Sequence, residues 1–310
     1  MGITREILLW GSRNQWLADQ LTSRSFTRRA VERFMPGENL SAGIDATESL
    51  RHSNIGTILT LLGENISEDA EADAVVEHYV EVLDRIREMK FDADISLKPT
   101  QLGLDLGSEK TYERYENLVR RAGQLGRMVA VDMEDSSYVD QTIDLYRRLL
   151  GDNTNVALCL QSYLFRTTSD LVTLLPLNPT IRLVKGAYKE PREIAYRKKS
   201  DVDANFLRLS ETLLREVESG SGIRVFFGTH DPKMIEGVIE QANTLGLPKD
   251  AYEFQLLYGI QREVQTSLAA EGYRVRVLIS YGASWFPWYM RRLAERPANM
   301  LFLLRNLFKG

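Results

Sequence analysis

Two adjacent arginines, Arg291 and Arg292 in "YMRRLAER", follow the aromatic stretch "SWFPWY" near the end of the chain. Successive helix positions point about 100° apart, so neighbouring arginines converge on one group only in a helix's first turn, where N–H groups and the dipole also favour an anion. Each guanidinium can grip a carboxylate or phosphate through two parallel hydrogen bonds. Taken alone, the pair reads better as a solvated couple partnered by Glu295 one helical turn on. The cations upstream tip the balance. Lys98, Arg182 and Lys185 lie at the ends of short apolar runs, and polar residues close every such run: Glu64, Lys98, Asp132, Gln161, Arg182 with Lys185, Thr229 with His230, Gln255 and Tyr281. Charged side chains are rarely buried unpaired, so such a ring implies a shared polar cavity, and its cationic excess implies an anionic ligand.

The runs that must position these residues are "TILTLLGE", "ADISLKPT", "RMVAVDMED", "NVALCLQSY", "IRLVKGAY", "IRVFFGTH", "YEFQLLYG" and "VRVLISYG". Each is short for a helix and nearly continuous in apolar residues, as expected of strands buried on both faces. Helical patterns separate them, among them "DAEADAVVEHYVEVLDRIREMK", "SEKTYERYENLVRRAGQLG", "VDQTIDLYRRLLG", "VDANFLRLSETLLREVESG" and "PKMIEGVIEQANTLG", the last two ending in glycine stop signals. Strand–helix units recurring at roughly thirty residues predict an α/β fold, a (β/α)8 barrel, with an open doubly wound sheet as the alternative. Residues 1–54 read as a helical arm on the barrel and 55–310 as the catalytic barrel with a C-terminal helix. In such a barrel the chemistry sits at the carboxyl ends of the strands, where the polar ring falls.

Composition narrows the class. With 310 residues, 44% of them hydrophobic, the chain can bury one large core, and a formal charge of -4 without basic runs excludes a general nucleic-acid binder. The one cysteine, Cys159, precludes an intrachain disulfide, fits a reducing compartment, and inside its apolar run reads as a small buried hydrophobe. The three histidines, His52, His78 and His230, have no second ligand at metal spacing, so no metal is expected. There is no P-loop, no G-x-S-x-G elbow and no G-x-G-x-x-G opening a helix, which disfavours a Rossmann nicotinamide site. No signal peptide or membrane-length apolar run is present, so a cytoplasmic protein is expected. The apolar end "NMLFLLRNLFKG" reads as cover for the barrel wall, with a peripheral contact at the inner membrane face as the alternative.

The segments "SLKPTQLG", "VDMED", "LQSYL", "IRLVKGAY", "GTHD", "EFQLLYG" and "YMRRLAER" together resemble the flavin-dependent proline dehydrogenases over about residues 57–305. The size resembles the small bacterial single-function enzymes rather than the large fusions. The resemblance implies a distorted (β/α)8 barrel carrying noncovalent FAD, which oxidises L-proline to Δ1-pyrroline-5-carboxylate by hydride transfer to the flavin N5, the first step of proline catabolism, with quinone as electron acceptor. A pyrroline-5-carboxylate dehydrogenase is the implied downstream partner. Carried over by motif, Arg291, Arg292 and Lys98 hold the proline carboxylate, and Tyr188, Leu257 and Tyr281 wall its ring. Asp132 orients the cations, and Arg182 lies against the flavin N5 edge. The other implied FAD contacts are Met133, Gln161, Val184, Lys185, Gly186, Ala187, Thr229, His230 and Glu295, with Glu64 as a gate paired to one arginine. The aromatics between Tyr281 and Arg291 are heavy for the family, and either shape a lid or pack against the N-terminal helices.

Two readings compete. A phosphate-binding lyase or isomerase would use Lys98 or Lys185 as a Schiff base. A catalytically dead barrel would be a binding scaffold that tolerates Arg291→Ala.

Overall fold

A strand buried on both faces meets no water along its edges, so its backbone N–H and C=O groups must be paired with neighbouring strands. In the computed structural model, which describes residues 34–63, 66–286 and 289, every strand is so paired. β1 (Gly56–Leu61), β2 (Ala93–Leu97), β3 (Val129–Val131), β4 (Val156–Gln161), β5 (Thr180–Val184), β6 (Arg224–Gly228), β7 (Glu253–Leu257) and β8 (Arg274–Tyr281) form a closed barrel in sequence order. All neighbours are parallel, and β8 closes onto β1 with Leu61 opposite Tyr281. This is the (β/α)8 barrel, and the open sheet is set aside.

The helices follow from period and caps. Along α3 (Ser108–Gln124), Tyr115, Leu118, Val119 and Ala122 recur at helical spacing and are fully buried against the barrel. Burying a side chain such as Leu118 stabilises the fold by about 1.5–3 kcal/mol. α2 (Asp69–Met89) stops at Lys90, whose φ of 53° is left-handed. α4 (Val139–Asp152) and α6 (Lys199–Glu218) follow β3 and β5. α7 (Pro232–Thr244) starts with Asp231 as cap, its carboxylate accepting from the Lys233 amide, and with Pro232 in the first turn. α5 (Thr167–Leu174) and α8 (Arg262–Ala270) are additional short helices. With few turns each, they leave too little periodicity to stand out in the sequence.

Of the expected N-terminal arm, residues 1–33 lie outside the described residues. The described part contains α1 (Leu40–Arg51), capped by Asn39, which lies across β1 and β8. Gly43 makes that approach possible, since a Cβ there would come within 3.1 Å of the Tyr281 ring. The aromatic stretch after β8 packs toward the same segment: the Tyr289 ring stacks 6.3 Å from Phe34, and Trp285 Nε1 donates to Glu38 at 3.2 Å. Among the described residues, then, packing on the N-terminal segment prevails over the lid. The expected C-terminal helix falls outside them.

Alternation divides each strand between a helix-facing row and a lumen-facing row. The helix-facing row is apolar, as the near-continuous runs require. The lumen row is not. Asp94, Ser96, Arg182, Glu253 and Gln255 are buried inside the barrel wall, and Arg276 is half-buried there. Branched aliphatic layers are usual there.

Candidate active site

Four strands, β2, β3, β5 and β7, place the central group. Arg182, in the middle of β5, reaches across the lumen so that Nη1 donates to Asp132 Oδ1 at 2.7 Å and to Ser96 Oγ at 3.0 Å, while Nε donates to Gln255 Oε1 at 2.6 Å. Ser96 in turn donates to the same Asp132 oxygen at 2.7 Å. Asp132 is the residue directly after β3 and retains 20% side-chain exposure against 6% for Arg182. The carboxylate thus lies nearer the open end. Nη2 of Arg182 makes no hydrogen bond among the described residues, which leaves it as the donor for a ligand.

Lys98 directly follows β2 and, two residues on from Ser96, falls on the same lumen face. Its turn is fixed by Glu134: the buried carboxylate accepts from the Thr100 amide at 3.0 Å and the Thr100 hydroxyl at 2.7 Å. Gln161, ending β4, donates Nε2 to the Glu134 carbonyl at 3.1 Å, and its buried Oε1 has no partner among the described residues. Leu257 shares the lumen row of β7 with Glu253 and Gln255, and in the neighbouring strand Leu278 stands in register beside it. Leu278 follows Arg276 by two positions, so it too faces the lumen, and it is half-buried.

The loop after β5 is locked down. Glu190 accepts from the Ser136 amide at 2.8 Å and from the Tyr163 hydroxyl at 3.2 Å. Gly186 has φ of 108°, and a Cβ there would stand 2.3 Å from the Tyr163 ring. The loop backbone therefore lies flat on Tyr163, with Ala187 and Tyr188 half-buried beyond. Val184 neighbours Gln161 and Gly228, and a Cβ on Gly228 would meet Val184 Cγ1 at 2.7 Å. Thr229 and His230 follow β6, Thr229 buried and His230 half-buried, and Met133 is buried after β3.

Lys185 ion-pairs with Asp203, and with Asp231 at 2.7 Å; Lys199 contacts the same two carboxylates. Burial works against the Asp231 charge, but the two lysines outweigh it and hold the carboxyl well below its usual range. An ammonium clasped by two carboxylates is a poor Schiff-base nucleophile. Burial pushes the Cys159 thiol up to about 11, so it stays protonated near neutrality. Among the described residues no cluster of three or more histidine, cysteine or acidic side chains could hold a metal.

The proline dehydrogenase family profile matches residues 44–305, from α1 through the paired arginines. The chain belongs to the proline dehydrogenase family. A proline dehydrogenase of Deinococcus radiodurans is 36% identical over 285 residues, 90% of each chain, and proline dehydrogenase 2 of Bacillus subtilis subsp. natto is 34% identical over 100% of both. The bifunctional protein PutA of Escherichia coli is 25% identical over 88% of this chain but 24% of its own length. The solved structure of proline utilization A from Bdellovibrio bacteriovorus inactivated by N-propargylglycine superimposes with a TM-score of 0.81 at 20% identity, covering 94% of this chain and 36% of that one, and so shares the barrel fold. As a proline dehydrogenase, the chain is an oxidoreductase of proline catabolism, an enzyme that oxidises proline.

Within this proline dehydrogenase the structure gathers Lys98, Asp132, Gln161, Arg182, Val184 and Leu257 on lumen positions or strand ends of one barrel opening. Tyr281 is not among them. It sits on the outer row of β8, fully buried between α1 and α2, with its hydroxyl 2.9 Å from His78 Nε2. The signal that places it outside is alternation from Arg276, and the lumen position beside Leu257 goes to Leu278. Glu64, Arg291, Arg292 and Glu295 lie outside the described residues. Gln255 belongs to the polar ring read from the sequence; Ser96 and Glu134 do not stand out there, since their roles come from contacts with residues far along the chain.

Proposed function

We propose that the enzyme binds FAD noncovalently at the carboxyl end of the barrel and converts L-proline to Δ1-pyrroline-5-carboxylate. The observation that carries this reading is Arg182: pinned by Asp132, Ser96 and Gln255, it keeps one donor nitrogen for a ligand. The residues around it suit a flavin. Gln161 offers a buried acceptor with no partner among the described residues, which fits an N–H at a ring edge, and Gly186 keeps the strand-5 loop flat where a side chain could not fit. Met133, Val184, Lys185, Ala187, Thr229, His230 and Glu295 complete the proposed contacts. When bound, FAD accepts the hydride that leaves the carbon next to the proline nitrogen.

The chain's own residues do the rest. Lys98, with Arg291 and Arg292, would hold the proline carboxylate, so that one end of the substrate is charged and the other enters an apolar wall. That wall is assigned to Leu257, Leu278 and Tyr188. Arg182 Nη2 would present a preorganised N–H donor where negative charge grows during hydride transfer, and Asp132, ion-paired to the guanidinium, holds it in place and makes the pair net neutral. Loss of hydride from C5 of the ring, together with loss of a proton from the nitrogen to solvent water, gives the C=N bond of the product. Glu64 over the opening would pair with one arginine and exclude water. Electrons would then pass to a quinone and the product to a pyrroline-5-carboxylate dehydrogenase. The quinone reading allows a peripheral membrane encounter; no helix among the described residues is long and apolar enough to cross a membrane.

The test is an anaerobic visible spectrum of the purified protein before and after L-proline. Flavin bands that bleach support the reading. Bands that persist with proline refute the substrate, and a protein that takes up no FAD refutes the cofactor.

A further inference from the structure

Beneath the opening the lumen holds charges that a ligand at the strand ends cannot touch. Arg276 Nε lies 3.1 Å from Glu253 Oε2 and 3.1 Å from Asp94 Oδ2, and Nη2 lies 2.9 Å from Asp92 at the opposite rim. The other Glu253 oxygen, Oε1, accepts from Gln255 Nε2 at 2.7 Å, and Gln255 Oε1 accepts from Arg182 Nε at 2.6 Å. A chain of polar contacts therefore runs the length of the barrel, and Glu253, Gln255 and Arg182 are 7%, 6% and 5% exposed.

The direction of each bond matters. A glutamine amide has a donor end and an acceptor end of nearly the same shape, and a guanidinium N–H can only be met by the acceptor. Burial raises the Glu253 carboxyl and the adjacent Arg276 guanidinium opposes that rise; in its ionised, Arg276-paired form Glu253 only accepts, and so enforces that choice. Turning the Gln255 amide over would set NH2 against the Arg182 N–H and a carbonyl against a carboxylate. Both ends would then be mismatched in a site closed to water.

We propose that Glu253, held by Arg276, is a positioning residue for proline oxidation: through the one allowed orientation of the Gln255 amide it fixes the plane of the Arg182 guanidinium, and so the aim of Nη2. The inference rests on the reading of Arg182 beside the flavin. Glu253 touches neither substrate nor cofactor. Its influence is on how well the bound flavin's reduced form is stabilised.

The experiment compares wild-type holoenzyme with E253Q and with the swap E253Q/Q255E. In E253Q an amide replaces the carboxylate, so the Gln255 amide can adopt either orientation. The expected result is a kcat about tenfold lower with KM for proline little changed, since the carboxylate grip lies elsewhere. The midpoint potential of the bound flavin should fall by about 30 mV, the equivalent of a tenfold loss in relative binding of the reduced form for a two-electron couple. The swap should restore both, because a carboxylate again accepts from Arg182 Nε and an amide carbonyl accepts from Arg276 Nε. Wild-type potential and kcat in E253Q overturn the proposal. So does a swap that regains wild-type thermal stability while the potential stays shifted, which is what a merely structural role would give. Should E253Q not fold, the swap decides: wild-type potential supports the proposal, and a shifted potential or a second failure to fold overturns it. A wild-type protein that takes up no flavin would instead refute the underlying cofactor reading.

Discussion

The hydroxyl of Tyr281 on β8 lies 2.9 Å from Nε2 of His78 on α2, which places this tyrosine behind the barrel wall and leaves the lumen position beside Leu257 to Leu278. Tyr281→Phe should therefore leave KM for proline unchanged and lower stability by about 0.5–1.5 kcal/mol, the net worth of one hydrogen bond. Leu278→Ala should raise KM for proline several-fold by opening the wall. Steady-state kinetics with urea midpoints on both variants checks the pair, and a raised KM in Tyr281→Phe would return the tyrosine to the site.

The same contact gives a pH dependence. Burial lowers the His78 pKa from its ordinary 6.5, against a smaller opposing pull from Glu81. A base whose folded pKa is depressed is held neutral in the native state, while the unfolded chain takes up a proton below about pH 6.5. His78 therefore contributes no penalty above that value and a growing one as pH falls below it. Urea midpoints of the wild type should drop between about pH 7 and 5 more steeply than those of His78→Phe. Parallel pH profiles would contradict this.

Arg182→Met should cost more than a surface pair ever would. It leaves Asp132 and Gln255 without their partner, and loss of one member of a buried pair destabilises by about 3–5 kcal/mol. Removing a preorganised donor lowers kcat by about 10²–10³-fold. Thermal melts and stopped-flow flavin reduction read the two effects separately. Retention of wild-type reduction rates would remove Arg182 from the reaction.

Gly186→Ala combines a left-handed φ of 108° with a Cβ driven into the Tyr163 ring. The loop must shift, at a cost of about 1–3 kcal/mol, and FAD occupancy of the purified protein should fall. Full occupancy at unchanged affinity, measured by flavin fluorescence titration, would show that the loop does not line the cofactor.

Arg292→Ala addresses the substrate grip. Deprived of one guanidinium, a buried carboxylate loses about 2–5 kcal/mol of interaction. KM for proline should rise and kcat/KM fall in proportion, with flavin affinity intact. An unaltered KM would sink the assignment of the paired arginines to the carboxylate.

How far the sequence reaches depends on which interactions are local. Apolar runs such as "NVALCLQSY" announce strands because both faces are buried, and repeated strand–helix spacing leaves a closed barrel as the architecture. Long amphipathic helices like α3 are legible for the same reason, while α5 and α8 are too short to show a period. Polar residues ending each run mark one rim, and there Lys98, Asp132 and Gln161 are found. Family motifs such as "RLVKGAY" name the chemistry, because short backbone-shaped loops are written in contiguous residues.

The side on which a strand residue points was decided only in three dimensions. Tyr281 and Leu278 are both plausible wall residues by sequence, but a shift of one position in a two-residue repeat exchanges lumen for helix layer. The charged lumen was hidden for a related reason. Asp94 comes from β2, and Glu253 and Arg276 from the distant consecutive strands β7 and β8; each interrupts an apolar run, and their mutual neutralisation exists only once the barrel has closed. Residue types and local periods thus determined the architecture and the kind of site. The closed barrel decided which side chains meet, because long-range pairing sets register, and register sets what each side chain faces.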